Sequence, residues 1–145
     1  MKYNKILVLA MIAVLAIVLV GSVSAQSNGT KETIRGVDFN IPAGFTETDG
    51  SVHDNVTHSG SVKATTDMVF YKNDSTIVGI LVVEFDTKVN ESVIEEDGVK
   101  TDINGVSGYL NQTDDGYYSF EFIKDTKIIT IMSPTKELIE EVVVK

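Results

Sequence analysis

The stretch Thr76-Ile77-Val78-Gly79-Ile80-Leu81-Val82-Val83-Glu84-Phe85 decides the fold. Ile77, Val78, Ile80, Leu81, Val82, Val83 and Phe85 place apolar groups on both sides of an extended chain. Successive side chains of a strand point to opposite faces, so this strand must lie centrally in a sheet and be covered front and back. Lys127–Met132 repeats the pattern, with Ile128, Ile129 and Ile131 on both faces. Downstream, Ser133-Pro134 opens a helix: Ser caps free amides, and Pro suits the first helical position. Leu138, Ile139, Val142 and Val143 then share one apolar stripe, with Lys136, Glu137, Glu140 and Glu141 outside it. That stripe is the expected cover for one face of the doubly apolar strands.

Working outward, Tyr117–Ile123 pairs with Lys127–Met132 around Lys124-Asp125-Thr126. Val99–Ile103 and Val106–Leu110 flank Asn104-Gly105, the dipeptide that best supplies the positive φ angles of a two-residue hairpin turn. Val62–Tyr71 alternates, with Val62, Ala64, Thr66, Met68 and Phe70 on one side, and Asn73-Asp74-Ser75 turns the chain back. Val37, Phe39 and Ile41 alternate before Pro42 stops the strand. Thr46–Gly60 is polar and without period, so it reads as the longest loop. Val89–Glu96, with Val89 and Val93 four apart, reads as a short helix.

Composition agrees. Residues 26–145 hold 15 Val, 11 Ile, 14 Thr, six Phe and four Tyr against three Leu and two Ala. Branched and aromatic side chains suit a pleated surface, and good helix formers are scarce. No repeat period is present, which excludes solenoids and propellers. The expectation is an α+β domain over 33–145, an antiparallel β-sheet of about six or seven strands with the C-terminal helix packed on it. Residues 26–32 form a polar lead-in.

Three segments carry a resemblance: Phe39-Asn40-Ile41-Pro42-Ala43-Gly44-Phe45, Ile103-Asn104-Gly105-Val106-Ser107-Gly108-Tyr109, and Phe120–Ile131 followed by Thr135–Val143. In this order they resemble small secreted proteins of methanogenic archaea and, more distantly, the PsbP-like family. The resemblance implies an antiparallel sheet flanked by helices. It carries no activity, cofactor or catalytic residue.

The N-terminus is a different material. Lys2 and Lys5 precede fifteen unbroken apolar residues, Ile6–Val20, and Val23-Ser24-Ala25 presents small residues where a signal peptidase reads. Residues 1–25 therefore read as a signal peptide cut after Ala25. The competing reading is an uncleaved N-terminal anchor, a membrane tether through residues 6–25, since no charge occurs between Lys5 and Lys31. Either way residues 26–145 lie outside the cytoplasm, secreted or held at the cell surface.

The whole chain carries a net charge of −9, and residues 26–145, with 10 basic and 21 acidic side chains, carry −11. Nucleic acid is excluded as a partner, because such binding rests on clustered Lys and Arg. With no Cys there are no disulfides, thiolate metal sites or Cys nucleophiles.

Five triplets match the N-glycosylation acceptor pattern, at Asn28, Asn55, Asn73, Asn90 and Asn111. Chance would give about one or two from this composition. All five fall in expected loops, turns or strand ends, where an acceptor must be. Other constellations are weaker. His53 and His58 lack the companions and spacing of a metal site. Asn111–Gly116 has oxygen ligands, but Phe122 stands where a calcium loop needs Glu. Glu95-Glu96-Asp97 reads as a solvated acidic run. His58-Ser59-Gly60-Ser61 puts hydroxyls near an imidazole without an orienting third group.

The chain therefore reads as an exported, non-catalytic, glycosylated protein of the cell surface or envelope, without a cofactor and with an envelope protein as the expected partner. That partner is expected on the sequon-free stretch 114–145, where Tyr117 and Tyr118 lie, extended by Tyr109; the alternative is that both faces of that strand are simply covered, one by the helix and one by a loop. A small-molecule or divalent-cation binding domain is the alternative. A hydrolase built on His53 or His58 is the third reading.

Overall fold

A computed structural model describes residues 29–94 and 98–145; the residues 1–28, with the export or anchor segment and Asn28, and the acidic run 95–97 lie outside it. The described chain is mainly β. Its strands are β1 (Thr30–Ile34), β2 (Val37–Ile41), β3 (Thr46–Glu47), β4 (Val52–Ser59), β5 (Val62–Lys72), β6 (Ile77–Phe85), β7 (Val99–Ile103), β8 (Val106–Gln112), β9 (Tyr118–Lys124) and β10 (Lys127–Ser133). A 3₁₀ turn occupies Glu91–Val93, and one helix, α1 (Lys136–Val142), follows β10.

β1 and β2 form a two-stranded sheet of their own. The other eight strands form one antiparallel sheet, ordered β3-β5-β6-β10-β9-β8-β7, with β4 also paired to β5. β6 and β10 pair along six residues at its middle, as their two-sided apolar patterns require. One face of this sheet, the helix face, packs Val69, Ile80, Val82, Ile129, Ile131 and Phe120 against Ile139, Val142 and Val143 of the C-terminal segment and Val37, Phe39 and Ile41 of β2. The opposite, second face carries Phe70, Leu81, Val83 and Met132 in one cluster. Ile94, Tyr109 and Ile128 form another under the segment that follows β6.

The structure differs from the sequence reading in several places, and with one seven-residue helix beside ten strands the described residues are mainly β rather than a balanced α+β domain. The sheet has eight strands, not six or seven, and a separate hairpin covers its helix face. The first extra strand, β1, begins at Thr30 inside the polar lead-in. Its first four residues are exposed, so no apolar period marks it. Thr46–Gly60 is not a loop but holds β3 and β4. β4 is an edge strand exposed at every residue, and a strand that buries nothing leaves no alternation to read. The helix cap is Thr135 rather than Ser133: Thr135 Oγ1 accepts from Leu138 N–H, while Ser133 Oγ bonds Thr135. Leu138 is only partly buried, whereas Ile139 and Val142 are fully buried. Of the expected helix over 89–96, the described part holds a 3₁₀ turn at Glu91–Val93, capped by Asn90, whose Oδ1 accepts from Ser92 N–H, and residues 95 and 96 lie outside the described residues.

The Asn104-Gly105 turn is as expected, with φ of 54° and 80°. It does more than reverse the chain. Asn104 Nδ2 donates to the carbonyls of Glu140 (2.6 Å) and Val143 (3.0 Å). The turn of one hairpin thereby satisfies carbonyls at the end of α1 that have no partner within the helix.

Candidate functional site

Among the described acceptor asparagines, Asn55, Asn90 and Asn111 are exposed and Asn73 is half-buried. Asn55 stands on β4, not in a loop, and Asn111 near the end of β8. Asn73 sits in the β5–β6 turn, where its Oδ1 accepts from Ser75 and Thr76 N–H, and its own N–H donates to the Thr76 carbonyl.

The other candidates fall apart as sites. His53 Nε2 lies 2.8 Å from Glu47 Oε1, a contact between two exposed side chains of neighbouring edge strands, β3 and β4. His58 pairs across the ladder with Lys63, a cationic neighbour that disfavours a metal. Among the described residues no group of three or more His, Asp or Glu is arranged to hold a metal ion. Asn111–Gly116 makes the β8–β9 connection, closed by Thr113 N–H donating to the Tyr117 carbonyl and Gly116 N–H to the Thr113 carbonyl. Tyr109 is buried, and Tyr117 and Tyr118 are half-buried, so none of the three is a fully exposed side chain. Among the described residues no helix is long and apolar enough to cross a membrane.

Two features escaped sequence reading. The first is a cavity of about 320 Å³ on the second face, lined by Val89, Glu91, Ile94, Ser107 and Ile123. At its rim Glu91 Oε1 takes Lys100 Nζ at 2.9 Å and Tyr109 Oη at 3.4 Å. Lys100 holds the Glu91 carboxyl below the usual carboxylate range. The apolar floor comes from residues that also build the third core cluster, so the cavity is partly a by-product of packing.

The second is a cluster around Arg35, at the tip of the β1–β2 hairpin. Arg35 and Gly36 have φ of 48° and 75°, the two-residue hairpin geometry. The Arg35 guanidinium reaches Asp54 Oδ1 at 2.9 Å, Asp67 Oδ1 at 3.3 Å and Glu84 Oε2 at 2.9 Å. Asp67, 8% exposed, also accepts from Asp54 N–H at 2.6 Å. The register shift between Val52 and Asn55 puts Asp54 at φ 52° and aims it at Arg35. Lys127 completes the cluster, 3.2 Å from Glu84 Oε1. Burial lowers the Arg35 pKa, but its bonds to Asp54 and Glu84 and the charge of Asp67 outweigh this and raise it. The Arg35 bond, against burial and helped by Lys127, holds the Glu84 carboxyl below its ordinary value. Three strands are thus joined to the hairpin at a single guanidinium, and Lys127 brings in a fourth strand through Glu84, two cations facing three carboxylates. The arrangement is a fastening and offers no open ligand position. Its sequence signal was Arg35-Gly36 between the alternating Ile34 and Val37.

Comparison with known proteins finds no matching family model, no matching curated protein and no matching solved structure.

Proposed function

We propose that this chain is an exported, N-glycosylated, non-catalytic domain of the cell surface or envelope, which acts by presenting a folded surface to an envelope partner. The observation that carries the reading is the display of three acceptor asparagines, Asn55, Asn90 and Asn111, at exposed positions of an otherwise well-packed β domain. The apolar run Ile6–Val20 ending at Val23-Ser24-Ala25 supports export, and the pairing of exposed His53 with the Glu47 carboxylate weighs against a hydrolase built on His53. N-terminal sequencing and glycopeptide mapping of the native protein test this. The expected result is a chain starting at Gln26 or held in washed membranes from Met1, with sugar on at least one acceptor. A cytoplasmic, sugar-free chain overturns it.

A second reading rests on the cavity beside Glu91. Apolar Val89, Ile94 and Ile123 with the Glu91 carboxylate at the rim suit a small molecule with an apolar body and a cationic end. Titration calorimetry with small aliphatic amines tests it, and calcium serves as the comparison for cation binding.

A further inference from the structure

The acceptor asparagines are scattered along the sequence, but the strand register gathers them. Residues directly opposite one another in an antiparallel pair share a face of the sheet. Asn111 pairs with Ser119, Ser119 with Met132, Met132 with Gly79 and Gly79 with Phe70. Phe70 and Met132 belong to the second face. Asn55 pairs with Thr66, Thr66 with Val83 and Val83 with Ile128. Val83 and Ile128 belong to the second face as well. Asn90 lies on the segment between Val89 and Ile94, which packs on that same face over Tyr109, Ile128 and Ile123. By contrast, the face that carries α1 and the β1–β2 hairpin bears no acceptor among the described residues. The chain also enters the described domain on that side, through β1. Asn73 belongs to neither set: it is half-buried at the sheet's end and tied into its turn by three hydrogen bonds.

We propose that, among the described acceptors, glycosylation falls on one side only, with Asn55, Asn90 and Asn111 modified, Asn73 left unmodified and none of them on the helix-bearing side. The inference rests on the glycoprotein reading above. The substrate class is an oligosaccharide carried on a lipid phosphate, supplied with its transferase by the host. The side-chain amide nitrogen Nδ2 bonds to the anomeric carbon of the sugar. The bond from that carbon to the phosphate oxygen breaks, the lipid phosphate leaves with the electron pair, and the amide gives up one proton. Sugar is bulky and hydrated. Three chains on one face shield that face from bulky reagents.

The absence of cysteine makes the test direct, since any introduced thiol is unique. Ser107→Cys reports on the second face, four residues from Asn111 along β8 and at the rim of the cavity beside Glu91. Glu137→Cys reports on the exposed side of α1. Each full-length variant is produced in a host with the N-glycosylation machinery and in one without it, and glycopeptides are mapped. The rate of labelling by a bulky polyethylene-glycol maleimide is then compared between the two preparations. The expected map shows sugar at Asn55, Asn90 and Asn111. The expected rates are a several-fold slowing at Ser107→Cys on glycosylation and no change at Glu137→Cys. Equal slowing at both positions, slowing at neither, or sugar at Asn73, alone or with the others, overturns the one-sided arrangement while leaving the glycoprotein reading intact. No sugar on any acceptor overturns both. The unglycosylated preparation has the same sequence, so a folding defect from substitution cannot mimic the difference.

Discussion

Arg35 Nη2 lies 2.9 Å from Glu84 Oε2, joining the tip of a hairpin built early in the chain to the end of the most buried strand of the main sheet. It adds to the Arg35 bonds with Asp54 and Asp67, to the bond from Asn40 Nδ2 to the Glu141 carbonyl and to the apolar side of the hairpin, Ile34, Val37, Phe39 and Ile41. The pair has a pH signature. The Glu84 carboxyl is held below its ordinary value, so its contribution to stability is present above the unfolded-state carboxylate pKa. That contribution is lost as pH falls through the lower folded-state value. Melting temperature followed down through the acid range is expected to drop more steeply for the native protein than for Glu84→Gln, which has no such proton to take up.

Arg35→Ala tests the same cluster from the cationic side. It leaves Asp67, nearly buried, without its charged partner. The expected cost is about 1–3 kcal/mol at neutral pH, the penalty of a buried polar group left unpaired. Chemical denaturation of the two proteins measures it. A loss confined to neutral pH, shrinking as the carboxylates protonate, separates broken ion pairs from lost packing.

Ile139→Ala removes a fully buried side chain from the interface between α1 and the helix face and is expected to cost roughly 2–5 kcal/mol. Leu138→Ala, at a partly buried position, is expected to cost distinctly less. Equal losses in urea melts would mean that the stripe rotates in solution.

Asn104 has two duties, a positive φ and the two hydrogen bonds that close α1. Asn104→Gly keeps the turn and removes the bonds; Asn104→Ala removes both. The expected order of stability is native, then Asn104→Gly, then Asn104→Ala, with each bond contributing about 0.5–1.5 kcal/mol. If Asn104→Gly melts with the native protein, the closure of α1 contributes nothing.

Gly108 lies beneath a ring. A Cβ there would come within 2.7 Å of Phe120 Cζ and 2.5 Å of the Glu121 carbonyl oxygen. Phe120 is fully buried, so neither neighbour has room to retreat. Gly108→Ala is expected to destabilise by about 1–3 kcal/mol through overpacking, read as a lowered midpoint of denaturation.

How far the sequence determined this protein is clearest in its C-terminal half. The apolar residues of Thr76–Phe85 and Lys127–Met132 and the Asn104-Gly105 turn each require one local conformation and formed where their patterns put them, while α1 formed two residues later than Ser133-Pro134 indicates, with Leu138 at the margin of its stripe and Val143 past its end. The reason is that burial and positive φ are local demands that few residue types meet. β1, β3 and β4 left no such mark, because exposed edge strands are held by backbone hydrogen bonds to a neighbour and any polar side chain can occupy them. The acceptor triplets were legible as triplets and their common face was not. Which side of a sheet a side chain takes depends on register between strands far apart in sequence, and one residue of slip reverses it. The Arg35 cluster is the same kind of fact. Arg35, Asp54, Asp67, Glu84 and Lys127 are unremarked charges along the chain. They become one fastening only when the hairpin folds onto the helix face and the β4 irregularity turns Asp54 toward the guanidinium.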